Sequence, residues 1–173
     1  MTSVPDVLYL PEQPVHDIEI EDINAEAFGP GRFARAAYKI REGGPHDRAL
    51  SFVALRHGNV VATCRMTPIA AGEGRALLLG PLAVRPAHKD LGIGRRLVVL
   101  SLEEARKAGA GAVILVGDEP YYGPLGFRHI PNGQMIMPRP VDPRRFLVHE
   151  IVPGTLAALR GAVTHADVAA YAR

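Results

Sequence analysis

The residues best suited to bind an anion follow a strand-like stretch near the middle of the chain. An apolar pattern over residues 77–84 ends at Pro86, a short polar loop follows, and Gly92-Ile93-Gly94 opens a helical pattern that runs to Lys107. The first N–H groups of a helix lack intrahelical partners, and the helix dipole adds partial positive charge there. Such a start binds phosphate or pyrophosphate, and glycines let the ligand oxygens approach the backbone.

Two other phosphate-binding motifs do not fit these residues. A dinucleotide-binding fingerprint requires a third glycine where the chain has Leu97. A Walker loop requires Lys followed by Ser or Thr after its last glycine, and here Arg95 and Arg96 follow Gly94. The first mismatch argues against a dinucleotide-binding site, and the second argues against a phosphate-loop nucleotide enzyme.

Length and composition bound the remaining possibilities. The chain has 173 residues, enough for one well-buried domain and too few for two ordinary ones, so we expect a single domain over 1–173. The hydrophobic content is 47%, yet no apolar run approaches the roughly 20 residues that span a bilayer. The first six residues lack the features of a signal peptide, and we expect a cytoplasmic protein. The lone Cys64 excludes an intrachain disulfide and a cysteine-based metal site, and we expect it in the core.

Charge and aromatic content argue against nucleic acid as a partner. The formal net charge is only +2, the Lys and Arg residues are scattered, and the chain has no Trp, five Phe and five Tyr. A nucleic-acid-binding surface needs clustered cations or aromatic stacking platforms. A small molecule or a peptide remains as the ligand class, with no membrane partner.

Hydrophobic periodicity before Gly92 predicts a short strand, two helices and three antiparallel strands. The helices are expected at residues 16–28, ended by Gly29-Pro30-Gly31, and at 32–42. The strands are expected at residues 7–10, 50–55, 60–69 and 76–84. The run Leu77-Leu78-Leu79 indicates a central strand that is buried on both faces.

The second half of the chain predicts a crossover and a less regular end. An amphipathic helix over residues 95–107 is followed by a buried strand at 112–116, an order that implies a right-handed crossover with parallel pairing. We expect residues 134–137 to pair with 146–152, a short helix at 154–160, and a tail at 163–173 that docks or frays. The predicted fold class is α/β (α+β), with flanking helices on a mixed, mostly antiparallel sheet.

Two motifs in this order resemble those of one enzyme superfamily. Leu82-Ala83-Val84 followed by Lys89-x-x-Gly92-x-Gly94 resembles the acetyl-CoA-binding motif of the GNAT superfamily of N-acetyltransferases, although Lys89 replaces the usual Gln or Arg. Gly117-Asp118 with Tyr121-Tyr122 and Gly126-Phe127 resembles the Tyr-x-x-x-Gly-Phe motif of its bacterial subgroup with Gly-Asp-x-x-Tyr-Tyr. The resemblance covers most of the chain and is strongest over residues 77–127.

The resemblance implies splayed parallel strands and acetyl transfer from acetyl-CoA directly to a primary amine. The Leu82 N–H would bind the thioester carbonyl, and the backbone of residues 82–84 would pair with the pantetheine arm. Tyr122 would protonate the leaving thiolate, because a phenol with a pKa of about 10 is protonated at neutral pH. Tyr121 is the rival, and the count back from Gly126 favours Tyr122. The predicted coenzyme-binding residues are Leu82, Ala83, Val84, Lys89, Asp90, Leu91, Gly92, Ile93, Gly94, Arg95 and Tyr122, with Arg96 as a further source of charge.

The sequence leaves the base and the acceptor open. Leu77, Leu78 and Leu79 cannot take a proton, so the candidates for the base are Glu26, Asp118, Glu119 and His129. No nucleophile with an adjacent base is evident, so no covalent enzyme intermediate is expected. The acceptor could be a polyamine, an amino acid, an aminoglycoside-like compound or a protein N-terminus. A non-catalytic acyl-CoA-binding sensor or interaction module is the alternative function, and a homodimer is an open possibility.

Overall fold

The computed structural model describes residues 5–171, which form nine strands and five α-helices. The strands are β1 (Val7–Pro11), β2 (Phe52–Arg56), β3 (Asn59–Gly72), β4 (Gly74–Val84), β5 (Ala112–Val116), β6 (Arg128–His129), β7 (Met135–Ile136), β8 (Phe146–Glu150) and β9 (Leu159–His165). The helices are α1 (Asp17–Phe28), α2 (Ala36–Arg41), α3 (Ile93–Lys107), α4 (Glu119–Tyr122) and α5 (Ala166–Tyr171). None of these helices is both long and apolar enough to cross a membrane.

The strands form a mixed sheet in the order β1-β2-β3-β4-β5-β8-β6. Neighbours β1 to β4 are antiparallel, as are β5 with β8 and β8 with β6, whereas β4 and β5 are parallel. The long strand β3 pairs with β2 over its first half and with β9 over its second half. The predicted fold class, a mostly antiparallel sheet with flanking helices, is confirmed.

The central strand β4 is buried on both faces. Leu77 and Leu79 pack in one apolar cluster with the inner face of α3, whereas Leu78 packs in a second cluster with α2. Successive side chains of a strand point to opposite faces, so the run of three leucines holds one helix layer on each side. The expectation for this strand is confirmed, and Cys64 on the neighbouring strand is also fully buried.

The parallel pairing of β4 and β5 is short. Only Leu77 with Val113 and Leu78 with Ile114 are paired, although β4 continues to Val84. Beyond Leu78 the two strands diverge, and within residues 5–171 no strand lies beside one edge of β4. The N–H and C=O groups on that edge are therefore free to bind another chain or a ligand.

The predicted helix at residues 32–42 is wrong as a single element. A 3-10 turn at Pro30–Ala34 comes first, Arg35 is extended, and α2 begins only at Ala36. The rings of Phe33 and Tyr38 pack edge to face at 4.8 Å across this break. A tertiary contact between the two pieces thus replaces the helical hydrogen bonds that the local pattern predicts.

The predicted pairing near the C-terminus is also wrong. The expected strands at residues 134–137 and 146–152 do not pair with each other: β7 pairs with β9, and β8 pairs with β5 and β6. Residues 155–158 form only a 3-10 turn, and residues 159–165 of the predicted helix and tail form β9. Residues 166–171 form α5, whereas 172–173 of the predicted tail lie outside the described residues.

Candidate active site

A cleft of about 1410 Å³ opens where β4 and β5 diverge. Ligand pockets usually measure roughly 300–1,000 Å³, so this one has room for two ligands side by side. One part, the α3 arm, is lined by the end of β4, the turn before α3, the start of α3 and the tyrosines of α4. The other part, the α2 arm, is lined by Arg35, Tyr38, Arg41, His46, Arg65 and Gly80.

The open edge of β4 presents backbone groups to the α3 arm. The Arg85 N–H points toward β3, because it donates to the Val61 carbonyl oxygen at 2.8 Å. Ala83 lies two residues earlier in β4, opposite Thr63, and its N–H has the same orientation. Hydrogen-bonded and non-hydrogen-bonded pairs alternate in an antiparallel ladder. The N–H groups of Leu82 and Val84 therefore point away from β3, toward the unpaired edge.

The start of α3 lacks a cap. Gly92 precedes the helix with φ 81° and no side-chain cap bond, and its carbonyl accepts from the Arg96 N–H at 3.0 Å. The N–H groups of Ile93, Gly94 and Arg95 come before this bond and have no intrahelical acceptor. Together with the helix dipole they form a site suited to a phosphate.

The structure brings together all but one of the predicted coenzyme-binding residues. Leu82, Ala83, Val84, Lys89, Asp90, Gly92, Ile93, Gly94, Arg95 and Tyr122 line the cleft. Leu91 does not, and 41% of its surface is exposed elsewhere. The Ile93 side chain is buried in the core, so this residue can offer only its backbone. Arg96, the further source of charge, also lies outside the cleft lining.

The two tyrosines of α4 occupy different positions. The Tyr122 ring packs against Phe127 with centroids 5.7 Å apart and lies over Gly117, where a Cβ atom would collide with it. The Tyr121 hydroxyl lies over the start of α3, 3.0 Å from the point where a Cβ on Gly94 would be. Burial, followed by the influence of neighbouring groups, raises the pKa of Tyr122, so its phenol is protonated at neutral pH.

The four candidates for the base from the sequence are poorly placed. Glu26, Glu119 and His129 do not line the cleft. Asp118 does, but its carboxylate pairs with the Arg145 guanidinium at 3.2 Å. The Cys64 thiol is no substitute, because burial raises its pKa to about 12. Within residues 5–171 there is also no cluster of His, Cys, Asp and Glu that could hold a metal ion.

An imidazole missed by the sequence analysis lines the α2 arm. The His46 Nε2 atom bonds to the buried Glu12 carboxylate, which also accepts from Arg48 Nη1 and Arg65 Nε, both at 2.9 Å. Burial raises the pKa of Glu12, but the bonds from His46 and Arg65 outweigh this effect and lower it below its usual value. No spacing pattern could reveal this pair, because 34 positions separate the two residues.

The charge state of Glu12 determines the tautomer of His46. An ionised carboxylate can only accept hydrogen bonds, so Nε2 of a neutral His46 must carry the proton. Nδ1 then holds the free lone pair, and no described residue bonds to it. A fixed imidazole with a free lone pair in a cleft is arranged as a proton acceptor is in catalysis.

Comparison with known proteins identifies similar sequences. A model of the acetyltransferase (GNAT) family matches residues 17–127. YjhQ of Escherichia coli (strain K12), described as an uncharacterized N-acetyltransferase, is 31% identical over 113 residues. That match covers 63% of this chain and 62% of YjhQ, so it spans less than two thirds of the relative's length.

Solved structures with the same fold include two coenzyme complexes. The GNAT family N-acetyltransferase YhbS of Escherichia coli, in complex with CoA, superposes with a TM-score of 0.78 at 22% identity, covering 100% of this chain and 96% of YhbS. A GNAT family acetyltransferase from Brucella melitensis, in complex with acetyl-CoA, gives a TM-score of 0.68 at 26% identity, covering 94% of this chain and 97% of the other.

The contacts of Glu12 with His46, Arg48 and Arg65 predict a pH-dependent contribution to the free energy of unfolding. Glu12→Gln removes the buried carboxylate from Arg48 and Arg65, which keep Asp17 as their other partner, and should lower the free energy of unfolding by about 2 kcal/mol at neutral pH. Because the fold lowers the pKa of Glu12, this stabilisation is complete above the ordinary value of 4.5 and is lost as pH falls below it toward the folded pKa. Urea denaturation at several pH values measures the difference.

Glu73→Gln, in the exposed turn between β3 and β4, is the matched control and should change the free energy of unfolding by less than about 0.5 kcal/mol. The difference between wild type and Glu12→Gln should shrink toward acidic pH. A difference that stays constant with pH would contradict the assignment.

Proposed function

The chain belongs to the acetyltransferase (GNAT) family, and from this premise we propose that it transfers an acetyl group from acetyl-CoA directly to a primary amine. The observation that carries the proposal is the juxtaposition in one cleft of an unpaired strand edge and an uncapped helix start. An extended pantetheine arm requires the first, and a pyrophosphate requires the second.

Each part of the coenzyme has a matching surface in this arrangement. The pyrophosphate would lie on the N–H groups of Ile93, Gly94 and Arg95, with Lys89 and the Arg95 side chain adding positive charge. The pantetheine arm would add to the sheet beside residues 82–84, where the N–H groups of Leu82 and Val84 face the open edge. The complexes of the Escherichia coli and Brucella melitensis proteins with CoA and acetyl-CoA support this choice of donor.

The transfer step needs a hydrogen-bond donor and an acid. The acceptor nitrogen attacks the thioester carbon, the carbonyl oxygen becomes an oxyanion, and collapse of this intermediate breaks the C–S bond. The Leu82 N–H would donate to the oxyanion. The Tyr122 hydroxyl would give its proton to the departing thiolate, which produces CoA and the amide. The raised pKa of Tyr122 keeps the required proton on the phenol.

We assign the base to His46. An amine attacks only as its neutral form and loses a further proton as the amide forms, so the reaction needs an acceptor for protons near the cleft. The free Nδ1 lone pair of His46 would fill that role, and the Glu12 carboxylate would hold the ring and stabilise the imidazolium that results. Glu12 is thus a positioning residue.

Thiol release from acetyl-CoA across a library of primary amines tests the proposed reaction. At least one amine should increase release well above the background hydrolysis. With that amine, Tyr122→Phe should lower turnover by about 100-fold, the ordinary contribution of a general acid, while leaving acetyl-CoA affinity within about twofold.

Tyr121→Phe is the matched control for Tyr122→Phe, and it should retain turnover within about threefold. Equal losses in the two variants would contradict the role of Tyr122. A wild-type protein that binds acetyl-CoA but acetylates no amine would contradict the reaction and support the acyl-CoA sensor instead.

A pH profile tests His46. His46→Gln should lower kcat by about 100-fold near neutral pH, and raising the pH should restore part of the rate because free amine then forms without a base. His129→Gln, an exposed histidine outside the cleft, is the control and should keep the wild-type profile. A loss that is the same at every pH would show that His46 is only structural.

A further inference from the structure

Arg41, the last residue of α2, lines the cleft and has no carboxylate partner within residues 5–171. Its side chain lines the cleft, and its Nε atom is fully enclosed with no hydrogen-bond partner among the described residues. Two other arginines of the cleft do have such partners, because Arg32 pairs with Glu21 and Arg65 pairs with Glu12, whereas Arg35 stacks on the Phe28 ring. Enclosing part of a guanidinium without an anion beside it is costly, so a ligand that supplies the anion to the rest of the group would be favoured there.

Arg41 remains a cation under ordinary conditions. Burial first, and then the neighbouring Arg65 guanidinium, lower its pKa to about 10. The side chain is therefore protonated at neutral pH, and because Arg65 already pairs with Glu12, Arg41 carries a positive charge that no carboxylate among the described residues compensates.

The guanidinium of Arg41 faces the place proposed for acetyl transfer. A Cβ atom on Gly80 would lie 3.1 Å from Arg41 Nη2 and 3.9 Å from the Leu82 backbone nitrogen. The missing side chain of Gly80 thus leaves a small space that Arg41 and the proposed oxyanion donor share. A group held by Arg41 would lie only a few bonds from the reacting amine.

The charges of the cleft indicate which ligand supplies the anion. In the proposed complex the coenzyme phosphates lie at the start of α3, in the other arm, beside Lys89 and Arg95. Two glutamates that line the cleft are already paired: Glu21 with Arg32, and Glu42 with Lys39. A polyamine or an aminoglycoside would bring positive charge toward Arg41 without a free carboxylate beside it to receive that charge.

From this arrangement we infer that the acceptor is an α-amino acid or a close analogue, whose carboxylate binds the Arg41 guanidinium while its amine faces the thioester. The planar guanidinium can donate two parallel hydrogen bonds to a carboxylate, which fixes the orientation of the amine. The inference rests on the proposed acetyl transfer and names the substrate class of that same site.

Binding of paired ligands to the CoA-loaded protein tests the inference without relying on turnover. Free α-amino acids and their carboxamides, which lack the carboxylate, are compared by ligand-detected NMR. Wild type should bind at least one amino acid about tenfold or more tightly than its carboxamide, the effect of one charge-assisted hydrogen bond or more. Arg41→Met should abolish this preference, and Arg41→Lys should keep part of it.

Arg35→Met is the matched control, because Arg35 also lines the α2 arm but stacks on Phe28 at 5.2 Å. It should keep the preference for the acid, and CoA affinity should be unchanged in all variants. If Arg41→Met does not fold, the comparison of acids with carboxamides on wild type and Arg41→Lys decides the question.

Three results would overturn the inference: carboxamides that bind wild type as tightly as the acids, no binding of any amino acid, or a preference that survives in Arg41→Met. Failure of the proposed function has a different signature, namely no CoA binding, or no thiol release with any amine.

Discussion

The short pairing between the parallel strands β4 and β5 creates the cleft on which the proposed function depends. β4 and β5 share two residue pairs and then diverge, although β4 continues for six more residues. The backbone groups on the exposed edge of β4 need partners, and a strand edge binds any extended chain that offers a complementary row of donors and acceptors. The cleft, the helix start beside it and the tyrosines above it all lie along this edge.

The packing around the divergence keeps the cleft open. Leu77, Leu78 and Leu79 anchor β4 to a helix layer on each face just before the strands separate. Beyond these leucines, Gly80 has no side chain and so leaves a space beside β4. On the opposite side of the cleft, Gly117 leaves room for the Tyr122 ring. Charge follows the same division, with the cations of one arm beside the helix start and those of the other beside Gly80. Shape and charge thus divide the cleft into two arms, one for the anionic coenzyme and one for its acceptor in the proposed reaction.

Local patterns predicted the parts of the fold that local physics controls. The amphipathic α3, the buried run of β4 and the parallel crossover to β5 are confirmed because their periodicity and burial are written in consecutive residues. The break before α2 and the pairing of β7 with β9 depend on contacts between distant segments, and the predictions there were wrong. β9 did carry a signal, since Leu159, Val163 and His165 are buried at alternate positions, but Gly161 and short side chains weakened it. The motif residues that line the α3 arm could be identified from the sequence, whereas His46, Glu12 and Arg41 come together at the cleft only through tertiary folding.

Amide hydrogen exchange on the protein with and without acetyl-CoA tests the central claim most directly. Acetyl-CoA should saturate the protein at one molecule per chain and slow exchange at the N–H groups of Leu82 and Val84 and of Ile93, Gly94 and Arg95. The Ala83 N–H, which by the ladder alternation already bonds to β3, should change little. Absence of saturation would contradict the account, and so would saturation with protection confined to amides outside the β4 edge and the start of α3.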